Sequence, residues 1–401
     1  MSKSIILKQG KEATCGLGHP WIFSGAIEKK DDNIEHGEVV LVKACDGVVI
    51  GMGAYSGKSM IAVRIFDFKE TEIDEEWFVA KLKSAEAHRE FLGYGPESDT
   101  TGYRLIFGES DGVPGLVLDR YGDVFVLQIS TKGMENLKEN LVAAIKKVFN
   151  PKTIIERSDM SSRQAEGLPE AKSVLFGDEV AEVEFLENGY KFTADLMNGQ
   201  KTGFFLDQKD LRLEIAKFAD KKTIMNLFSY TGATSVYAIK SGAKKIINLD
   251  GSEEALAGVD KNAKLNKIPK TRYEKLHADI FQYLSEKNVP EFDMVILDPP
   301  ALIKARNGIE SGIKAYHFIN RAAMRLVKDG GIFVTSSCSH FLSVDDFVKT
   351  LKRASRQIGV NLKLIKRVSQ SADHPMSIYF PEGGYLKSFI FKVENESKAK
   401  L

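Results

Sequence analysis

Residues 223–250 read TIMNLFSYTGATSVYAIKSGAKKIINLD, and the order of apolar, small and charged residues in this stretch decides the fold. The apolar run Thr223–Leu227 predicts a buried parallel strand, Gly232 allows a tight turn, and Ala233–Lys240 continues at helical spacing. Lys245–Leu249 predicts a second strand with Asp250 at its tip, completing a βαβ unit. Open α/β sheets bind ligands beyond the carboxyl ends of their strands, and an acid about 20 residues past the first turn takes ribose hydroxyls. The unit reads as a nucleoside site.

Its turn, Phe228-Ser229-Tyr230-Thr231-Gly232-Ala233, lacks the three spaced glycines through which backbone approaches a pyrophosphate. A nucleoside without phosphates fits better. S-adenosylmethionine (SAM), with its sulfonium and amino-acid tail, is the common one. Another nucleotide, or a plain doubly wound sheet that binds nothing, are the alternatives left open by this stretch.

Around it lie 401 residues, too many for one core, with 43% hydrophobic residues. Lysine and arginine number 56 against 55 acids, so no global field draws nucleic acid, and any RNA surface must be a local patch. No stretch approaches the roughly 20 apolar residues of a membrane span, and the start MSKSIILKQGKEAT has no long apolar core; a cytosolic protein is expected. Cys15, Cys45 and Cys338 are too few and too scattered for a disulfide framework. Cys15 with His19 has no second pair at zinc spacing, so no metal is expected.

Residues 1 to about 72 alternate short β-type runs (Ser4–Leu7, Glu38–Lys43, Val48–Tyr55, Met60–Phe66) with glycine turns, the pattern of a small β-barrel. In its segment GHPWIFSG, Trp21 and Phe23 either present rings for base stacking or plug the barrel, and a core position is expected. The charged run Lys69–Glu76 then marks a solvated boundary before a helix over Trp77–Leu92. Strand patterns at Tyr103–Phe107, Leu116–Asp119, Val124–Ile129 and Thr153–Glu156, with a helix over Met134–Val148, make residues 73–185 a mixed α+β middle domain. The loop Glu109–Gly112 and the run Arg157–Asp159 read equally as turn chemistry or as functional groups. From residue 186 to 401 strands alternate with helices near Glu253–Asn262, Ile313–Lys328 and Val344–Ile358, giving one α/β domain.

The fourth strand of that domain runs Asp293–Leu297 into Asp298-Pro299-Pro300, where the prolines stop the strand and Asp298 either meets the ligand or caps a turn. A fifth strand ends in TSSCSH, which puts Cys338 beside the same cleft as a candidate nucleophile. The chemistry suits a pyrimidine: C5 of cytosine or uracil is a poor nucleophile until a thiolate adds to C6.

In this order, the residues resemble the SAM-dependent 23S ribosomal RNA large-subunit methyltransferases, close to the cytosine-5 methyltransferase I type. The likeness covers nearly the whole chain and rests on GHPWIFSGAI, ERSDMSSRQAEGL, ENGYKFTADLMNGQKTGFFLDQKDLR, NLFSYTGATS, LDPPALIKA, SSCS and DHPM. It implies an N-terminal RNA-binding PUA domain, a central mixed domain, a C-terminal class I (Rossmann-like) methyltransferase domain, and a homodimer acting on 23S ribosomal RNA. By the same resemblance Phe228, Tyr230, Thr231 and Gly232 line the SAM pocket, Asp250 holds the ribose, Asp279 faces the adenine amine, and Lys201, Phe204 and Gln208 close it. Cys338 would attack C6, and Asp298 would bond the N3 edge of the ring. The chain departs from the family pattern at Ala301-Leu302, where phenylalanine usually follows the prolines, and at Lys209, where arginine is usual. No residue is an obvious base for the C5 proton; His340, His374 and water are the candidates. Lys261, Lys264, Lys267, Lys270, Arg272 and Lys275 form a basic cluster that suits RNA or a solvated helix face. The rival readings are a guanine-N7 methyltransferase, which needs no thiol, a non-catalytic RNA-binding protein, and a nicotinamide oxidoreductase, which the absent glycine fingerprint disfavours.

Overall fold

The computed structural model describes residues 2–287, 289 and 291–395, and the chain divides into two compact units. One holds the residues up to Gly189 with the segments Ala194–Asp207 and Ala372–Gly383; the other holds Tyr190–Thr193, Gln208–Ser371 and the chain from Gly384.

The first unit begins with a six-stranded sheet in the order Trp21–Phe23, Ile61–Asp67, Val49–Tyr55, Val39–Lys43, Ser4–Leu7, Ile27–Lys30. Strand alternation sends Ile5, Leu7, Val40, Val42, Val63 and Ile65 into one core. Leu41, Met52, Ala54 and Phe66 join a second core, shared with Trp77, Phe78 and Leu82 of the helix Glu75–Phe91. The charged run before that helix is therefore not a boundary between independent cores. Instead Asp74 caps the helix, accepting from Trp77 N at 2.9 Å, and Trp77 Nε1 donates to Asp67 at 3.1 Å.

Trp21 and Phe23 are not core plugs. Ile22 between them is 2% exposed, whereas Phe23 is 49% exposed and the half-buried Trp21 donates from Nε1 to Glu109 at 2.8 Å. In a three-residue strand that alternates faces, the middle residue takes the inward slot and its neighbours face away. The second core also receives the sheet Ala171–Gly177, Thr153–Ser158, Val124–Ile129, Leu116–Tyr121, Gly102–Phe107. The helix expected over Met134–Val148 is two helices, Lys132–Asn136 and Lys138–Phe149. Asp111 and Arg157, from the two ambiguous loops, have structural partners. Asp111 pairs with buried Arg89 at 2.7 and 2.8 Å, and Arg157 donates to the carbonyls of Leu196 at 2.5 Å and Gly199 at 2.8 Å.

The second unit is built on seven strands: β1 (Thr223–Leu227), β2 (Lys245–Asp250), β3 (Tyr273–His277), β4 (Phe292–Leu297), β5 (Val327–Ser337), β6 (Val360–Val368) and β7 (Lys387–Asn395). They stand in the order β3-β2-β1-β4-β5-β7-β6, with β1 to β5 parallel and β7 antiparallel to both its neighbours. The helices that connect them are α1 (Ala233–Lys240), α2 (Glu253–Leu265), α3 (Ile280–Glu286), α4 (Ile309–Met324) and α5 (Val344–Gln357). Met225, Leu227, Val295, Leu297 and Phe333 lie in one core with Tyr316 and Ile319 of α4 and Phe347 of α5, as near-continuous apolar strands require. Helix α4 stops short of the expected Lys328 because Val327 already opens β5, where it pairs with Phe292. Strand order reverses between β1 and β4, the place where sheets of this kind bind ligands. No helix among the described residues is long and apolar enough to cross a membrane.

Candidate active site

Register assembles the site. Leu227 at the end of β1 pairs with Leu249 of β2 on one side and Leu297 of β4 on the other. The next residues, Phe228, Asp250 and Asp298, therefore emerge side by side at one carboxyl edge, on strands about 4.8 Å apart. Leu297 in turn pairs with Thr335 of β5, so Cys338 leaves the sheet at that edge as well.

The β1–α1 turn is held in an unfavourable backbone shape. Phe228 and Tyr230 sit at φ 59° and 48°, and Gly232 at 71°, where a side chain would also press on Val259 at 3.0 Å. Left-handed backbone at a non-glycine costs about 1–3 kcal/mol and persists where its surroundings enforce it. Here Asp250 supplies that hold: one oxygen accepts from Tyr230 N at 2.8 Å and the other from Ser252 N at 3.0 Å. From α2, Asn262 donates to the Thr231 carbonyl at 2.9 Å. Beneath the turn, buried Asn226, Ser235 and Asn248 bond to one another. Against this rigid frame, the buried hydroxyls of Ser229 and Thr231 have no hydrogen-bond partner among the described residues. Unpaired buried hydroxyls beside a carboxylate and a strained turn suit a polar ligand such as SAM. Phe228, Tyr230, Thr231, Gly232 and Asp250 would hold it.

Asp298 and Cys338 stand on the other side of this edge. Asp298 accepts from Gln208 Nε2 at 2.6 Å, and Cys338 Sγ lies 4.0 Å from the Pro299 carbonyl. The flanking serines fix the cysteine's direction. Ser337 donates to the Tyr316 hydroxyl at 2.9 Å, Ser339 Oγ lies 2.9 Å from that hydroxyl, and Ile303 N donates to Ser339 Oγ at 3.1 Å. Both serines are fully buried, and Cys338 between them is half-exposed. Burial pushes the Tyr316 phenol up, so it stays protonated as a donor.

The other expected site residues are distributed as follows. Asp279 is exposed and caps α3, accepting from Gln282 N at 2.7 Å. Lys201 and Phe204 belong to the first unit, where Lys201 pairs with Asp207 at 2.7 Å and Phe204 is buried edge-on against Phe185. His374 also belongs to the first unit, fully buried and bonded to Asp373 at 3.1 Å, with burial pushing its pKa down. His340 is exposed, and Lys209 is fully buried. In the basic cluster Lys261, Lys264, Lys267 and Lys270 are exposed, Lys275 pairs with Asp260 at 2.6 Å, and Arg272 donates to the Ala243 carbonyl at 2.5 Å. Asn262, Tyr316 and Lys387 are contributors that motif reading misses. Each is a polar residue on an inward face of its helix or strand, a signal present in the sequence.

The chain matches the family model described as S-adenosylmethionine-dependent methyltransferase over residues 163–392 and a PUA-like domain model over residues 5–68. It is 41% identical to ribosomal RNA large subunit methyltransferase I of Aliivibrio fischeri over 397 residues, covering 98% of this chain and 100% of that protein. Vibrio vulnificus ribosomal RNA large subunit methyltransferase I is 40% identical over 399 residues, with the same coverage of 98% and 100%. A SAM-dependent methyltransferase from Streptococcus mutans shares the fold at a TM-score of 0.81 and 22% identity, over 97% of this chain and 99% of that one. A methyltransferase crystallised with SAH overlays with a TM-score of 0.82, also at 22% identity and the same coverage of 97% and 99%.

Proposed function

Because the chain belongs to the S-adenosylmethionine-dependent methyltransferases, among the ribosomal RNA large subunit methyltransferase I proteins, we propose that it makes 5-methylcytosine in 23S ribosomal RNA through a covalent adduct on Cys338. The observation that carries this reading is the half-exposed Cys338 at the end of β5, beside Asp298 at the end of the neighbouring strand. A guanine-N7 methyltransferase has no use for a thiol there.

The Cys338 thiolate adds to C6 of the target cytosine, forming an S–C6 bond and pushing electrons toward C5 and N3. Asp298, held by Gln208 through one oxygen, meets the N3 edge as the carboxylic acid and donates its proton there as addition makes N3 basic, taking it back on elimination. SAM, held by Phe228, Tyr230, Thr231, Gly232 and Asp250, would supply an electrophilic methyl group to C5, its sulfur–methyl bond breaking to leave S-adenosylhomocysteine. Loss of the C5 proton to water or to His340 then lets the S–C6 bond break, and Cys338 leaves as the thiolate. The target base must leave its stack to reach the thiol, which favours free 23S rRNA over the assembled subunit. Residues 1–72 serve as the RNA-binding module, with exposed Phe23 as a stacking surface, ahead of the middle domain 73–185 and the catalytic domain 186–401. The family resemblance extends the proposal to a homodimer in the cytoplasm, with Asp279 toward the adenine.

RNA carrying 5-fluorocytosine at the target tests the adduct, because fluorine cannot leave as the proton does. Wild type should give a denaturation-resistant protein–RNA band, and Cys338→Ala should give none and lose several orders of magnitude in turnover, on the order of 10⁴ or more, while keeping its SAM affinity. Equal trapping by Cys338→Ala, or normal methylation, would overturn the thiol mechanism.

A further inference from the structure

Lys387 opens β7 directly across from Ser337, and its buried Nζ donates to the Ser339 carbonyl at 2.9 Å. It is thereby fixed against the backbone on both sides of Cys338. A lysine is rarely buried without a partner for its charge, and one neutral carbonyl is a poor counterpart for an ammonium. The ionisable groups that act on it are Cys338 after β5 and Arg367 on β6, and Tyr316 on α4 touches both serines that flank Cys338. Arg367 repels the ammonium, and the Tyr316 phenol is protonated. Of the groups that act on Lys387 among the described residues, the thiol is the one able to carry a negative charge.

We propose that Lys387 is the counter-ion of the Cys338 thiolate, holding the nucleophile ionised before the RNA arrives. This rests on the adduct reading above. Burial pushes the Lys387 ammonium down to about 8, with the Cys338 charge pulling it back up and Arg367 pushing it further down. It is therefore mostly cationic at neutral pH, and a cation beside a thiol favours the thiolate, more so where water is excluded. No proton need leave Lys387 in the cycle: the ammonium loses its anionic partner when the S–C6 bond forms and regains it on elimination. Lys387 is thus a positioning and charge-stabilising residue, not the base for the C5 proton.

The test is the pH dependence of Cys338 alkylation by iodoacetamide in the RNA-free protein, followed by peptide mass spectrometry from about pH 6 to about 9.5, around the ordinary thiol value. Exposed Cys45 is the internal reference. In Lys387→Gln, which keeps a donor for the Ser339 carbonyl but carries no charge, Cys338 alkylation near neutral pH should slow about tenfold, with its profile displaced upward by about one pH unit. Cys45 should not change. Lys387→Arg, if it folds around the larger head, should keep most of the fast reaction; calorimetry with SAM reports folding for each variant. An unchanged Cys338 profile in Lys387→Gln overturns the proposal and leaves Lys387 a strand clamp. Alkylation requires neither RNA nor methyl transfer. An active Cys338→Ala would therefore sink the adduct while the alkylation result stood, and the reverse outcome is equally distinct.

Discussion

Replacing Asp250 tests the cofactor site and the loop that builds it at once. The carboxylate accepts two backbone amides, Tyr230 N at 2.8 Å and Ser252 N at 3.0 Å. It thereby holds Phe228 and Tyr230 at φ 59° and 48°. A hydrogen bond to a charged group contributes about 1.5–3 kcal/mol, and Asp250 is half-buried, so the lower end applies to each bond. Asp250→Ala removes both, about 3 kcal/mol in all, and frees a strained turn that would otherwise present its amides and hydroxyls to the nucleoside. If that energy is needed to organise the pocket, SAM binding weakens by roughly 150-fold. Asp250→Asn keeps an acceptor for one amide and loses the charge, so a loss of about tenfold is expected, nearer wild type than alanine. Titration calorimetry should show one SAM per chain for wild type, the graded loss across the two variants, and no comparable binding of NADH. An alanine variant that binds SAM within about threefold of wild type, well below one bond's worth, refutes both the ribose contact and the scaffolding argument.

Gly258→Ala tests the loop from below, because a methyl group there would come within 2.6 Å of Thr231 Cγ2 and 2.9 Å of its Cβ. Overpacking of this kind costs about 1–3 kcal/mol and should displace Thr231, so weaker SAM binding with Cys338 alkylation unchanged is expected; unaltered SAM affinity would show that the turn has slack. His374 sets an acid limb on stability. Burial holds its pKa below the ordinary 6.5, so below that pH the unfolded chain binds a proton that the folded chain refuses, and stability falls as pH drops. Urea midpoints at about pH 7.5 and about pH 5.5 should differ less in His374→Asn than in wild type, and an equal difference would remove His374 as a source of the acid sensitivity.

The legible parts of the fold are those whose signal is local. Thr223–Leu227, Ala233–Lys240 and Val124–Ile129 fall where their apolar pattern puts them, because a strand or helix buried along its length shows its period directly. Ile27–Lys30, which carries three exposed residues in IEKK, and Glu182–Glu187 are half-solvated strands that leave no such trace. The DHPM motif gave no hint that Asp373 would serve Arg104 N at 2.9 Å inside the first unit, because that contact joins residues 269 apart in sequence.

The candidate site divides along the same line. NLFSYTG, Asp250, Asp298 and Cys338 each end a strand, so their type and place were readable, but their meeting depends on register. A one-residue slip at Leu227 would turn Phe228 and its neighbours to the wrong face. Gln208 finds Asp298 through a contact of this kind, which no spacing rule predicts. Lys387 is different. In KSFIFKV it falls in the same alternating phase as Phe389, Phe391 and Val393, all three of them buried in the core. A lysine in the inward phase of a strand loses most of its hydration and needs a partner inside. The residue type and the period marked the charge as out of place, and the antiparallel pairing of Lys387 with Ser337 supplies the partner by setting it beside Cys338 at the sheet's carboxyl edge.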